Sequence, residues 1–152
     1  MPSVPVSRWM KDRGAAMRRT MMAMLGALAL AGCSIGADVP VAQKAITAFH
    51  AQLDAAQFGP IYTQSGKEMR DSTTQPRLTA ILEAVHRKLG LFKSGKSIGW
   101  NDNVNTRGHY IAINYQAVYE HGPAAENFTY RVDDGKATLV GYHVNSDVLI
   151  LN

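Results

Sequence analysis

Three side chains in the second half of the chain could together carry out acid–base chemistry. They are Tyr119, Glu126 and His143. A carboxylate beside an imidazole can hold the imidazole in one tautomer and raise its pKa, which general-base catalysis requires. The competing interpretation is a structural polar row in which Glu126 and His143 pair without acting on a substrate. Either interpretation needs three strands to pair in one particular register, so the elements that position these residues have to be derived first.

The lone cysteine, Cys33, stands in a pattern that is typical of exported proteins. Arginines at 18–19 precede an apolar run over 21–30, and small residues then precede the thiol. The stretch Leu30-Ala31-Gly32-Cys33 resembles the bacterial lipobox. That resemblance implies a diacylglycerol thioether on Cys33, cleavage before it, and acylation of the new amino terminus by a fatty acid such as palmitate. Because two or more acyl chains anchor a protein stably, we expect permanent attachment to a membrane.

Two other interpretations of this region are weaker. The apolar run is shorter than the roughly 20 residues that a membrane-spanning helix needs, and a free thiol would be unusual in an oxidising compartment. The sequence therefore predicts a signal peptide over 1–32, an acylated anchor and short tether over 33–38, and one domain over 39–152. Met17 is an alternative translation start. Ser34 replaces the aspartate of an inner-membrane retention signal, which favours the outer membrane, facing the periplasm.

The net charge of +4 belongs to the leader and not to the domain. Five of the 16 basic residues and one of the 12 acidic residues precede Cys33, which leaves 11 of each in the remainder. A domain without net charge has no electrostatic footprint for a polyanion. We therefore expect no nucleic-acid partner; the expected partners are the membrane, an envelope protein or a small apolar ligand.

Two stretches of the predicted domain have helical periodicity. Over 40–56, apolar residues recur at three- and four-residue spacing, and Asp38 is a candidate N-cap. A second apolar stripe opens at Thr73-Thr74 and ends at Gly90, which suits a helix C-cap because it has no side chain. Gly59-Pro60 interrupts the chain between them, where only short helical turns are expected.

After Gly90 the apolar period changes to two, which predicts strands. Four strands are expected, over 96–105, 109–121, 125–132 and 136–145. Helices followed by an antiparallel meander predict an α+β fold, with N-terminal helices packed on one face of a four-stranded antiparallel meander sheet. The apolar tail 148–151 either extends the last strand or packs back on the core.

The turn lengths predict a register for this sheet. A two-residue loop at Gly122-Pro123 pairs Tyr115 with Tyr130, and a two-residue loop at Asp134-Gly135 pairs Tyr130 with Leu139. The row on the helix-facing side then consists of Tyr119, Glu126 and His143. The apolar part of the outer face, which could dock a partner, consists of Tyr110, Val118, Val140 and Tyr142.

Three separated stretches resemble one bacterial family. They are FHAQLDAAQF at 49–58 with Ile61-Tyr62, VHRKLG at 85–90 and GYHVNS at 141–146, and the resemblance extends over 41–152. The family is the "domain of unknown function 4019" family. The resemblance implies a cystatin-like or nuclear-transport-factor-2-like fold and an exported or lipid-anchored chain. It implies no activity, and no role for recurrent residues such as His86, Gly90 and His143.

The remaining candidates for chemistry are weaker. His86 on the second helix could line a pocket between helices and sheet, or it could be a half-buried histidine bonded to a neighbouring polar group. His50 and Asp54 either pair on the first helix or lie on its solvated face. The five histidines form no HxH or HExxH pattern and no second thiol is present, so we expect no metal and no other cofactor.

These observations predict an uncharacterised envelope lipoprotein that is a non-catalytic binding or interaction module. The alternative is a small pocket enzyme, of the hydrolase or isomerase type, that uses the Glu126–His143 pair between helices and sheet. A third hypothesis is an assembly role through dimerisation of the sheet. A deep polar pocket that contains the pair would favour the enzyme.

Overall fold

The computed structural model describes residues 36–151. The predicted signal peptide and the predicted lipidation site, Cys33, lie outside these residues. The described elements are α1 Val39–Asp54, α2 Phe58–Gln64, α3 Lys67–Ser72, α4 Gln75–Leu89, β1 Phe92–Asn105, β2 Gly108–Tyr119, β3 Gly122–Asp133, β4 Lys136–Asn145 and α5 Asp147–Leu151. None of the described helices is both long enough and apolar enough to cross a membrane.

The strands form one antiparallel meander in the order β1-β2-β3-β4, and the helices pack on one face of it. The α+β fold predicted from the sequence is thereby confirmed. The apolar stripes of α1 and α4 pack against the alternating inward residues of the sheet. Fully buried members of this core include Ile46, Leu53, Leu82, Ile111, Ile113 and Phe128.

The helix ends follow the local sequence signals. Gly90 takes a positive φ of 77° at the end of α4, and its N–H donates to the carbonyl of His86 at 3.0 Å. A residue with a Cβ would be strained in this conformation. At the start of α1, Asp38 occupies the N-cap position, but its carboxylate caps no backbone N–H. That carboxylate instead lies 3.4 Å from His109.

The predicted pairing of β2 with β3 is wrong by four residues. Tyr115 lies opposite Glu126, and not opposite Tyr130, because the turn consists of Glu120 and His121 and not of Gly122-Pro123. The backbone N–H groups of Glu120 and His121 donate to carbonyls at the end of α4 and just beyond it, which holds the turn at this place. An even shift leaves every side chain on its predicted face. Tyr119 and Glu126 therefore still face the helices.

The predicted faces of β4 are wrong beyond its first residues. Tyr130 lies opposite Leu139 as predicted, but a bulge then shifts the register between Thr129 and Tyr130. An extra residue in one strand reverses the alternation that follows it. Tyr142 consequently faces the helices, and His143 is exposed on the other face. The tail forms α5. The Lys88 ammonium on α4 donates to the carbonyl of Leu149 on α5 at 3.0 Å.

Candidate functional site

Glu126 is a carboxylate enclosed in the core between α1 and the sheet. Its Oε2 lies 2.8 Å from His50 Nε2, and its Oε1 accepts hydrogen bonds of 2.8 Å from the hydroxyls of Tyr119 and Tyr142. Because an ionised carboxylate only accepts hydrogen bonds, His50 donates from Nε2. We call Glu126, His50, Tyr119 and Tyr142 the Glu126 cluster. Three donors from α1, β2 and β4 thus satisfy one acidic side chain on β3.

Aromatic rings close the Glu126 cluster. The imidazole of His50 stacks on the ring of Phe92, with centroids 3.9 Å apart, and the rings of Phe49 and Phe128 meet it edge-on at 5.8 Å. The side chains of His50 and Glu126 are 2% and 0% exposed. His50 Nδ1 is also buried and has no partner among the described residues. A substrate therefore cannot reach the imidazole–carboxylate pair without displacing these rings.

The tyrosines around Glu126 remain protonated. Burial first, and the charge of Glu126 second, raise the pKa of Tyr119 and of Tyr142 far above its ordinary value. The same two causes raise the pKa of Tyr115 and of Tyr130. Each hydroxyl therefore remains a donor at any pH at which the protein works. The arrangement surrounds a buried carboxylate with donors, and its tyrosine hydroxyls supply no acidic proton to a reacting group.

The structure brings together two of the three side chains predicted to form the polar row. Tyr119 and Glu126 are in contact, whereas His143 lies opposite Asn127 on the far side of the sheet because of the β4 bulge. His50 supplies the imidazole instead. The prediction of a solvated or Asp54-paired His50 is wrong, since His50 is 2% exposed and Asp54 accepts from the backbone N–H of Phe92.

His86 is half-buried on α4, where its ring meets that of Phe58 on α2 edge-on at 6.0 Å. Its Nδ1 is buried and has no partner in the described part of the chain. His86 lines neither of the two grooves described next. His86 is predicted to line a pocket between helices and sheet, and it lines neither of these two grooves.

A groove of about 460 Å³ lies between α1, α2 and the β3–β4 hairpin. We call it the Tyr130 groove, because Tyr130 lines it and its buried hydroxyl has no partner among residues 36–151. Lys136 is the single charged residue among those that line it. Its apolar lining includes Ala45, Ala48, Phe49, Ile61 and Leu139. A second groove, of about 640 Å³, lies between α3 and α4 and reaches Tyr142, but neither His50 nor Glu126 lines it.

The first described residues are tied to the end of β1. The backbone N–H of Gly36 donates to Asp102 at 2.7 Å, and the other oxygen of Asp102 lies 2.6 Å from His109 Nε2. Gly36 also packs closely on the ring of Trp100: a Cβ added to Gly36 would lie 3.0 Å from the nearest ring atom. The bond from Gly36, followed by the hydrogen bond and charge of His109, lowers the pKa of Asp102 against the opposing effect of burial. Residues 36–38 are thus part of the domain.

Because the pKa of Asp102 is lower in the folded than in the unfolded chain, its contribution to stability is complete above the unfolded value near 3.8 and is lost as the pH falls through the folded value. We expect Asp102→Asn to be less stable than the parent at pH 6 and to lose this difference progressively below pH about 4. Urea unfolding at pH 6, 4 and 2.5 measures it, with Asp71→Asn on the surface as control. An equal deficit at all three pH values would contradict the assignment.

The sheet edge formed by β1 carries a concentration of exposed apolar side chains. Ile98, Trp100 and Val104 are 61%, 48% and 75% exposed, and Val118 on the neighbouring strand is 45% exposed. An edge strand also offers unpaired backbone N–H and C=O groups. Bulges follow Phe92 and Ser97 on this strand, and bulges limit edge-to-edge pairing. The edge is therefore an exposed apolar surface on which open-ended strand pairing is limited.

Comparison with known proteins gives one positive finding. The model of a family described as "Protein of unknown function (DUF4019)" matches residues 45–142, which is more than half of the chain. The match contains His50, Tyr119, Glu126, Tyr130 and Tyr142. No curated protein matches the chain. Within the described residues, no three His, Cys, Asp or Glu side chains are grouped so that they could hold a metal ion.

Proposed function

The chain belongs to the DUF4019 family of proteins of unknown function, and we propose from its own residues that it is a lipid-anchored binding module of the bacterial cell envelope. In this proposal Cys33 is the acylated residue, and the domain works at the periplasmic face of the outer membrane. The support is the order of basic, apolar and small residues before a lone cysteine. We assign the domain to the cystatin-like or nuclear-transport-factor-2-like folds, supported by the helices that pack on one face of the meander.

One observation favours binding over catalysis. The imidazole–carboxylate pair, His50 with Glu126, is sealed in the core, whereas the grooves and the β1 edge are accessible. General acid–base catalysis requires the acid or base to lie within hydrogen-bond reach of the substrate. The enclosed pair instead satisfies its own members, which is the usual role of a buried polar network.

The predicted tether supports a domain held close to the bilayer. Three peptide links separate Cys33 from Gly36, and a fully extended chain spans at most about 3.6 Å per residue. From Gly36 onward, the backbone is held by Asp102 and packs on Trp100. A lipid on Cys33 would therefore be joined to the domain by a linker of at most roughly 10 Å.

The anchor is tested by Cys33→Ala in the native host, with incorporation of an alkyne-labelled fatty acid and recovery in the membrane pellet as readouts. We expect the parent to incorporate the label and to sediment with outer-membrane fragments, and the variant to lose the label completely. Ser34→Ala is the matched control, because it leaves the thiol in place. Fatty-acid incorporation by Cys33→Ala at the parent's level would contradict the proposal.

The enzyme alternative retains one supporting observation. Tyr142 separates the groove between α3 and α4 from Glu126, since Tyr142 lines that groove and its hydroxyl donates to the carboxylate. A hydrolase or isomerase would need this side chain to move aside so that a substrate could meet His50 and Glu126. His143, the imidazole predicted from the sequence, lies on the other face of the sheet and takes no part in this version.

A further inference from the structure

The hydroxyl of Tyr130 is a buried hydrogen-bond donor that nothing in the described chain satisfies. The residue is 2% exposed, and its ring stacks on Phe128 with centroids 6.1 Å apart. Leaving a buried hydroxyl without a partner destabilises the fold, because the group has lost its bonds to water and gained none in return. Burial and the charge of Glu126 raise the pKa of Tyr130, so the group remains a donor and needs an acceptor. Tyr130 also lines the Tyr130 groove, and an occupant of this groove reaches the covered hydroxyl once the side chains around it shift.

The lining of the Tyr130 groove selects the chemistry of an occupant. Lys136 supplies a positive charge, it forms no salt bridge within residues 36–151, and no carboxylate lines the groove. Asp133, on the same hairpin, is already paired with Arg131 at 2.7 Å. The apolar lining from α1 and α2 suits a hydrocarbon body. A volume of about 460 Å³ falls in the range of about 300–1,000 Å³ that is common for small-molecule sites.

We propose that the Tyr130 groove binds a small amphiphilic carboxylate, whose head group accepts a hydrogen bond from Tyr130 beside Lys136 and whose hydrocarbon part packs on Ala48, Phe49 and Ile61. This site specifies the ligand class of the binding module proposed above and rests on that function. It does not depend on the anchor. An acceptor in the groove would satisfy the buried Tyr130 hydroxyl, which has no partner among residues 36–151.

The test is equilibrium dialysis of radiolabelled octanoate against the natively processed chain in lipid nanodiscs, with empty nanodiscs as the blank. We expect saturable octanoate binding and no saturable binding of octylamine, which has the same length and the opposite charge. Tyr130→Phe should weaken octanoate binding about tenfold, which corresponds to one lost hydrogen bond of about 1.4 kcal/mol. Ala48→Trp, which fills the groove from an exposed position of α1, should abolish it.

Tyr110→Phe is the matched control, because Tyr110 lies outside the groove and its hydroxyl is bonded to Glu68 at 3.1 Å. We expect it to bind octanoate as the parent does. The thermal midpoint of Tyr130→Phe separates a ligand role from a structural one: removal of an unpaired hydroxyl should leave the midpoint unchanged or raise it, whereas loss of a structural bond would lower it. No saturable octanoate binding, equal binding of octylamine, or full affinity in Tyr130→Phe would each overturn the site. Because the anchor is read from fatty-acid labelling of Cys33, a failure of one proposal is distinguishable from a failure of the other.

Discussion

Replacing Glu126 with alanine should lower the free energy of unfolding by about 3–5 kcal/mol, the range found when one partner of a buried polar pair is removed. The substitution leaves the Nε2–H of His50 and the hydroxyls of Tyr119 and Tyr142 without their acceptor. His50 and Tyr119 are each 2% exposed, so these two donors lose their acceptor inside the core. Urea unfolding of the chain that begins at Ser34, followed by circular dichroism at pH 7, measures the change.

Glu126→Gln tests the charge separately from the shape. The amide oxygen can still accept from Tyr119 and Tyr142, but the amide nitrogen faces His50 Nε2 and also donates. His50 must then move its proton to Nδ1, which has no partner among the described residues. We expect a loss of about 1–3 kcal/mol, which is smaller than that of the alanine variant. Glu83→Gln, which changes an exposed carboxylate on α4, should unfold with the parent. Parent-like stability of Glu126→Ala would show that the cluster contributes nothing to the fold.

Strand alternation was sufficient to predict which face of β3 carries Glu126. Ala124, Phe128, Tyr130 and Val132 alternate with polar residues, and Glu126 shares their side of the strand. An acidic residue at such a position must meet donors when it is buried, so the pattern itself predicts a polar cluster in the core. The predicted face of Glu126 was correct even though the β2–β3 register was wrong, because a shift by an even number of residues preserves the face.

The identity of the imidazole could not be derived from strand alternation. His143 would face the helices in a regular β4, but the bulge beside Leu139 turns it outward. The backbone N–H of Gly66, in the α2–α3 connection, donates to the carbonyl of Leu139 at 2.7 Å, a tertiary contact between distant parts of the chain. The burial of His50, by contrast, could have been predicted from the sequence. His50 lies four residues after Ile46 and three before Leu53, within the buried stripe of α1.

The prediction of the β2–β3 turn at Gly122-Pro123 was wrong for a similar reason. Gly122-Pro123 is a strong turn signal in isolation, yet Gly122 opens β3 with a φ of 151°. The turn residues just before it are held by the α4–β1 connection, where the N–H of Leu91 donates to the Glu120 carboxylate at 3.0 Å. The turn preference of Gly122-Pro123 is thus outweighed by contacts to a segment about 30 residues away in the chain. Periodicity predicted the elements, and long-range backbone contacts determined their junctions.

His50→Ala and His143→Ala should differ sharply, and the pair decides which histidine matters to Glu126. His50→Ala removes a donor from a fully buried carboxylate and leaves a cavity under Phe92, so we expect a loss of about 3–5 kcal/mol in the free energy of unfolding. His143→Ala removes an exposed side chain on the outer face and should unfold with the parent.

His50→Gln provides the intermediate case, because its amide can still donate to Glu126 but cannot stack as a ring on Phe92. We expect its stability to lie between those of the parent and His50→Ala in the same urea titration. Destabilisation by His143→Ala that matches that of His50→Ala would restore the regular β4 predicted from the sequence. With it, the Glu126–His143 pair would return as a candidate for chemistry between the helices and the sheet. The order of the free energies of unfolding of these three variants would therefore test both the β4 bulge and the Glu126 cluster.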